Sequence, residues 1–285
     1  MGTLLRTKME QDLAVRGIRP RTGHNYLRFV IGLTRYYRRA PDTLTLSEVE
    51  AYLVHLRQVR QLTPESVRTV VTGVRFFYYV TLGRARADFH IPAPRPSHKQ
   101  PEVLSRQEVD RLLTQTEDRR DRMLLTTTYA AGLRVSEVVA LQIAHLDSER
   151  MVIRIEQGKG PCDRYALLSE RLLDELRAYW RVFRPAPWLF PSAHPAHPIS
   201  IRTASRIFGA AEARAGITKR GGIHALRHAF ATPLVERDAD LHTVQCLLGH
   251  RQIETTTRYL PLAPPALARR GSRCDLLDFT TPPPR

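Results

Sequence analysis

The chain has 285 residues, enough for about two domains of ordinary size. Hydrophobic residues make up 42% of it and aromatic residues 7%, which suits globular domains, and we see neither an apolar run of membrane-span length nor a secretory signal. The three cysteines share no C-x-x-C spacing, which argues against a disulfide framework or a zinc knuckle and predicts a reducing, cytoplasmic location.

The chain is strongly basic. Lysine and arginine total 44 against 28 acidic residues, a formal net charge of +16, and residues 1–95 alone carry 16 basic and 7 acidic residues. Such an excess attracts polyphosphates and gains free energy from counterion release, so nucleic acid is the leading partner. A merely arginine-rich, solvated surface is the alternative, and a membrane partner is disfavoured because no helix segregates its basic residues on one face.

Residues 1–82 predict four helices from apolar residues at helical spacing. The third helix is predicted to start at a capping box formed by Ser47 and Glu50. The fourth has Thr63 as N-cap and Pro64 at its first helical position, where proline is favoured. These signals predict a small, all-helical N-terminal domain.

The stretch "IPAPRPSHKQPEV" contains too many prolines for a helix or strand and predicts an interdomain linker over residues 91–101. Beyond it, Ser105 and Glu108 form a second capping-box pattern, and an apolar helix pair is broken at Gly132. Alternating polar and apolar residues on both sides of residues 158–161 indicate a β-hairpin.

The C-terminal half again predicts helices. After the amphipathic "ERLLDELRAYWRVF", a proline-punctuated loop precedes further helices at about 201–215, 224–237, 241–249 and 253–260. Pro233 lies inside one of them, and a proline there should destabilise the helix by about 3 kcal/mol unless the helix kinks. The last residues, 271–285, are predicted to form a tail without regular structure.

Single residues give weak functional signals. "HALRH" places His224, Arg227 and His228 on one helix face, but Ala225 stands where a zinc-protease helix needs its glutamate. Arg134 could simply pair with Glu137 one turn later.

Two further residues are equally ambiguous when taken alone. Lys159 could be a solvated hairpin tip, yet it is one of only four lysines, and lysine can supply a proton where arginine cannot. Tyr259 alone is more typical of a core aromatic residue than of a catalytic one.

Together these residues resemble the catalytic set of the tyrosine recombinases, the phage integrase family. The pattern comprises an arginine in "GLRVSE", a lysine in "GKG" 25 residues later, "HALR", "LLGH" and a tyrosine nine residues after that histidine. The resemblance implies the catalytic residues Arg134, Lys159, His224, Arg227, His250 and Tyr259. It gives Glu137 a supporting role in orienting the histidine and arginine groups.

The chemistry explains why such a set is needed. A tyrosine hydroxyl can store the phosphate of a cut DNA strand as an ester, without ATP, metal or another cofactor. Arg134 and Arg227 would clamp the charge of the transition state, and Lys159 would protonate the departing 5′-oxygen. By resemblance, His224 and His250 bind the phosphate and handle the tyrosine proton.

The resemblance covers essentially the whole chain and implies a mainly α fold. A four-helix, SAM-like core-binding domain over 1–90 would clamp DNA through its basic residues collectively. A linker over 91–101 would lead to an α+β catalytic domain over 102–270, built of helices with a small antiparallel sheet. The implied partner is double-stranded DNA, bound by a homotetramer on two sites that is monomeric or weakly associated without DNA.

Three other functions remain open from the residues. A DNA-binding protein that keeps this fold but has lost catalysis is suggested by Pro233, six residues after Arg227. A type IB topoisomerase-like enzyme would use the same chemistry without a partner site. A metal-dependent hydrolase ranks last, because no carboxylate–histidine cluster stands at ligand spacing.

Overall fold

A computed structural model of the protein describes residues 2–95, 102–156, 164–219, 221–236 and 241–248. Within these ranges no helix is both long and apolar enough to cross a membrane. The chain divides into two compact units, Met1–Lys99 and Gln100–Arg285.

The first unit consists of helices, as predicted. Its elements are α1 (Thr3–Val15), α2 (Pro20–Tyr37), α3 (Leu46–Gln58) and α4 (Pro64–Arg75), the last continued by a π-helical segment, Phe76–Thr81. Their apolar faces meet in one core, in which Met9, Leu33, Val74 and Phe77 are inaccessible to solvent.

The start of α3 differs from the prediction. Thr45, not Ser47, is the N-cap, and it forms a reciprocal capping box with Glu48. The Glu48 amide donates to the Thr45 hydroxyl (3.3 Å), while the Thr45 amide donates to the Glu48 carboxylate (2.8 Å). Both pairs satisfy the same spacing rule, and the helix starts at the earlier one because Thr45 adopts the extended conformation of an N-cap.

The proline-rich segment is described up to residue 95, and its first residues pack on the first unit. The Ile91 side chain is inaccessible to solvent. The Ile91 carbonyl accepts a hydrogen bond from Arg75 Nε (3.0 Å), and the Pro94 carbonyl accepts one from Arg68 Nη1 (3.0 Å). These contacts anchor the beginning of this segment to α4.

The second unit is also mainly helical. It contains α5 (Arg106–Thr114), α6 (Arg119–Ala130), α7 (Val135–Val139), α8 (Glu170–Phe183), α9 (Ile201–Arg214), α10 (His224–Glu236) and α11 (Leu241–Leu248). The strands β1 (Leu146–Asp147), β2 (Val152–Ile155) and β3 (Arg164–Leu167) form an antiparallel sheet in the order β1-β2-β3. The predicted fold class, mainly α with a small antiparallel sheet, is confirmed.

Helix α6 forms the centre of the second unit. Every residue from Met123 to Ala130 is buried. The buried hydroxyls of Thr127 and Thr128 donate to the carbonyls of Met123 and Leu124, at 2.8 and 2.7 Å. This bonding satisfies polar side chains inside the core, which would otherwise destabilise it.

Helix α10 packs against α6 and runs unbroken past Pro233 to Glu236. Pro233 therefore does not end the helix. It lies in the second half of α10, so the helix's first turns, which carry His224 and Arg227, form upstream of it.

Candidate active site

The candidate site begins at the turn that separates α6 from α7. Gly132 has φ +58°, a conformation that favours glycine, and a Cβ atom there would come within 2.5 Å of the Phe230 ring. The Gly132 carbonyl accepts a hydrogen bond from Arg227 Nη1 at 2.7 Å. The turn therefore joins the α6–α7 connection to α10, both through close packing and through this bond.

Arg134 and Glu137 lie at the first turn of α7. The Arg134 amide donates to Glu137 Oε2 (2.7 Å), and Arg134 Nη1 pairs with Glu137 Oε1 (2.7 Å). The simple ion pair considered from the sequence is thus present. The pair fits both interpretations of Glu137, a simple ion-pair partner of Arg134 and a residue that orients the site. The same carboxylate also contacts two further arginines.

Arg227 extends from the first turn of α10 into the protein, with a side chain only 5% exposed. Its Nη1 lies 3.7 Å from Glu137 Oε2, and its Nη2 donates to the Leu248 carbonyl at the end of α11. Cationic side chains are favourable at a helix C-terminus, where the last carbonyls lack partners within the helix. Arg227 therefore links α10, the Gly132 turn and the end of α11.

Arg164, the first residue of β3, is the third arginine that contacts Glu137. Its Nη2 pairs with Glu137 Oε2 at 2.6 Å, and its Nη1 donates to the Leu247 carbonyl at 2.7 Å. Sequence reasoning gave Arg164 no role. The signal that could have found it is strand alternation, because β3 alternates buried and exposed residues and Arg164 occupies a buried position.

The carboxylate of Glu137 thus lies among three guanidinium groups, those of Arg134, Arg164 and Arg227. Burial raises the pKa of Glu137, but the hydrogen bond and charge of Arg164, together with Arg134, outweigh burial and hold that pKa below its usual value. Three positive charges against one negative charge leave these four side chains with a net charge of +2. Such a group suits an anionic ligand.

His224 opens α10 three residues before Arg227. Partial desolvation lowers the pKa of His224, and the charges of Arg227 and Arg134 lower it further, whereas Glu137 acts in the opposite direction. The residue is nonetheless exposed to solvent. Its imidazole is therefore neutral near pH 7 and able both to donate and to accept a hydrogen bond.

The structure thus brings together Arg134, Glu137, His224 and Arg227, four of the residues predicted for the site. The other three, Lys159, His250 and Tyr259, lie outside the described residues.

Two family models match the chain. The model of the phage integrase family matches residues 102–264, and that of the phage integrase N-terminal SAM-like domain matches residues 5–88. The second match confirms the SAM-like fold expected for the N-terminal domain.

Two relatives and one solved structure agree with these matches. An integrase/recombinase of Sinorhizobium fredii is 41% identical over 285 residues, covering 99% of this chain and 92% of the relative. The tyrosine recombinase XerD of Caulobacter vibrioides is 35% identical over 240 residues, covering 77% and 78%. A crystal structure of a lambda integrase dimer bound to a COC′ core site shares the fold, with a TM-score of 0.72 at 20% identity, covering 88% and 95%.

The family models and the relatives therefore place this protein in the tyrosine recombinase class. The chain belongs to the phage integrase family and is a DNA recombinase.

Proposed function

We propose that this protein cuts and rejoins double-stranded DNA at specific sites through a covalent 3′-phosphotyrosyl intermediate at Tyr259. The observation that best supports this proposal is the grouping of Arg134, Arg227 and His224 around the buried carboxylate of Glu137. A guanidinium offers a fork of donors that fits two oxygens of one phosphate. Two such forks with a neutral imidazole suit a phosphodiester better than they suit a small neutral substrate.

In the proposed reaction the Tyr259 hydroxyl oxygen attacks the scissile phosphorus and the bond from phosphorus to the 5′-oxygen breaks. Lys159 gives a proton to the departing 5′-oxygen, while His224 and His250 bind the phosphate and take up the tyrosine proton. Arg134 and Arg227 stabilise the negative charge that grows on the non-bridging oxygens. A 5′-hydroxyl from another strand then attacks the phosphotyrosine and restores a DNA phosphodiester.

This sequence of steps keeps the energy of the phosphodiester in the protein–DNA ester. It therefore needs no ATP. The proposed mechanism also needs no metal ion, because Arg134 and Arg227 stabilise the negative charge on the phosphate.

The proposed partner is double-stranded DNA, clamped by basic residues of the N-terminal domain, over 1–90, and by the catalytic domain, over 102–270. The net charge of +16 supports this partner, and so does the relative crystallised on a core-site DNA. We also propose that four copies act on two DNA sites and exchange one pair of strands at a time, and that the protein works in the cytoplasm, where such DNA is found.

The proposal is tested with a DNA substrate nicked a few nucleotides 3′ of the cleavage site. Cleavage then releases the short fragment that carries the new 5′-hydroxyl, and loss of this fragment traps the adduct. The wild-type protein is expected to give a band shifted by its own mass on a denaturing gel, and Tyr259→Phe to give none while binding DNA normally. Since the target sequence is unknown, the substrate is taken from a fragment library selected for binding to the full-length protein. If no selected fragment forms an adduct, the result would favour a protein that only binds DNA.

Relaxation of plasmids distinguishes the topoisomerase alternative. The proposed recombinase relaxes only plasmids that carry its site, whereas a topoisomerase-like enzyme relaxes plasmids without one. The binding-only alternative drew its support from Pro233, and the continuous α10 with its intact Arg227 contacts argues against it.

A further inference from the structure

Among the described residues of β2 and β3, Arg164 forms three side-chain hydrogen bonds. Its side chain is 8% exposed, and its guanidinium meets both carboxylate oxygens of Glu137, Nη2 at 2.6 Å from Oε2 and Nε at 3.4 Å from Oε1. Nη1 reaches the Leu247 carbonyl at 2.7 Å. All three nitrogens of this guanidinium therefore contact acceptors, which come from α7 and α11.

Arg164 lies at the end of the sheet, and its contacts connect the sheet to two helices. It pairs with Ile155 at the last register position of β2 and β3. One side chain thus joins the end of the sheet to α7, which follows Arg134, and to the C-terminal turn of α11. A lysine could replace it only in part, because a single ammonium group keeps the charge but lacks the planar fork that meets a carboxylate bidentately and a carbonyl on another element at once.

The distances around Glu137 indicate what Arg164 does for its neighbours. Glu137 is 2.6 Å from Arg164 and 2.7 Å from Arg134, but 3.7 Å from Arg227. Attraction between unit charges grows as the distance shrinks and is strong in a buried setting. With Arg164 removed, the carboxylate would draw Arg227 closer and away from its place between the Gly132 and Leu248 carbonyls.

We propose that Arg164 is a positioning residue that holds Glu137 in place and thereby keeps the Arg227 guanidinium in the position from which it binds the scissile phosphate. This inference rests on the proposed function. It goes beyond it by adding a residue that does not touch the DNA but acts through Glu137 and the end of α11.

The first test measures single-turnover formation of the Tyr259 adduct by Arg164→Gln and Arg164→Lys at saturating protein. We expect Arg164→Gln to slow cleavage by about 100-fold, a loss of the size seen when a charge-stabilising donor is misplaced, with DNA affinity within about twofold of wild type. Arg164→Lys should recover part of this rate. The matched control is Arg154→Gln, which removes an exposed arginine from β2 whose partner is the exposed Glu156, and it should cleave like wild type.

A second substrate separates positioning of the arginine clamp from general damage to the fold. A methylphosphonate at the scissile position replaces one charged oxygen by a methyl group, so less negative charge has to be stabilised. The defect of Arg164→Gln relative to wild type should shrink at least about tenfold on this substrate, as should that of Arg227→Ala. A variant that is merely poorly folded would keep the same defect on both substrates, and that result would overturn the inference.

Glu137→Gln completes a double-mutant cycle. Because Arg164 acts through Glu137, Arg164→Gln should slow cleavage far less in the Glu137→Gln background than in wild type. Additive losses would contradict the proposal.

A crystal structure of Arg164→Gln tests the inference without relying on activity. The separation of Arg227 Nη1 from Glu137 Oε2, now 3.7 Å, should shorten to hydrogen-bond distance, about 3 Å. An unchanged separation would overturn the inference even if the wild-type protein cleaves DNA. Absence of a Tyr259-dependent adduct in the wild type, with the shortening present, would instead count against the proposed function alone.

Discussion

At the scale of single residues, the site depends on one carboxylate. Glu137 is 9% exposed and contacts Arg134, Arg164 and Arg227. A buried cation that loses its anionic partner is costly, because desolvation is then no longer offset by attraction. The two buried arginines therefore depend on Glu137 for stability as well as for position.

Glu137→Gln is expected to lower the free energy of unfolding at pH 7 by about 3–5 kcal/mol, the loss typical of breaking a buried pair. The pKa of Glu137 is lowered in the folded state from its usual value of 4.5, so the stability it contributes is present above pH 4.5 and is lost as the pH falls through the folded pKa. The gap between wild type and variant should therefore close in acid. Urea denaturation at a series of pH values measures it.

The control for this prediction is Glu10→Gln, which breaks the pair between Glu10 and Arg6, whose side chains are 45% and 57% exposed. Exposed pairs contribute little, so this change should cost at most about 1 kcal/mol at pH 7. A cost for Glu137→Gln no larger than that would show that the arginine cluster does not need its carboxylate.

At the scale of secondary-structure elements, the site is assembled by backbone groups at the ends of helices. The Gly132 carbonyl follows α6, and the Leu247 and Leu248 carbonyls end α11. All three accept hydrogen bonds from arginine side chains. The positions of α6, α10 and α11 are thereby linked at the site.

Gly132→Ala tests this arrangement. An alanine there would adopt an unfavourable positive φ and overlap the Phe230 ring, which together should cost about 2–4 kcal/mol and shift the carbonyl that holds Arg227. Adduct formation should fall along with the melting temperature. Gly216→Ala is the matched control, since Gly216 has a similar φ of +63° but open space around a Cβ atom, so only about 1 kcal/mol should be lost and cleavage retained.

Local signals predicted most of these elements, and non-local contacts account for what they missed. Capping residues and the spacing of apolar residues are local patterns, formed by residues that are close in sequence. The helices and the hairpin strands could therefore be predicted. The choice between Thr45 and Ser47 as N-cap could not, because both fit the same pattern and only the structure shows that Thr45 has the extended backbone of an N-cap. The two-residue strand β1 is too short to leave a sequence pattern.

The candidate site was predictable for a different reason. Arg134, His224 and Arg227 were found because a family pattern records them, and not because their spacing reveals a shared site. Arg164 lies 27 residues from Glu137 and 83 from Leu247 in sequence. Strand alternation could indicate that Arg164 is buried, but no local sequence pattern identifies these two partners. The structure places Arg134, Glu137, His224 and Arg227 together, and the catalytic roles of all the site residues, including Lys159, His250 and Tyr259, stay predictions.

At the scale of the whole molecule, we expect charge to control the association with DNA. The N-terminal domain combines a packed helical core with nine more positive than negative charges over residues 1–95. Clamping of DNA by this domain, and the domain boundaries themselves, stay predictions. Binding to DNA should release many counterions because each neutralised phosphate frees part of its ion atmosphere.

The affinity of the full-length protein for duplex DNA is therefore expected to fall at least about 1,000-fold between 50 and 200 mM salt, as for proteins with six or more phosphate contacts. Fluorescence anisotropy on a labelled duplex measures this dependence. The covalent adduct, once formed, should persist at high salt because no ion pair holds it. An affinity that changes by less than about threefold would contradict an electrostatic clamp.

The bonds from two arginines to the end of α11 bear on how this protein can evolve. Every amino acid has a carbonyl group, so positions 247 and 248 can change identity without losing the acceptor, provided the new side chain packs. The donors have no such freedom, since no other side chain offers the same planar fork. Substitutions during evolution should therefore accumulate at positions 247 and 248 of α11, while Arg164 and Arg227 are retained.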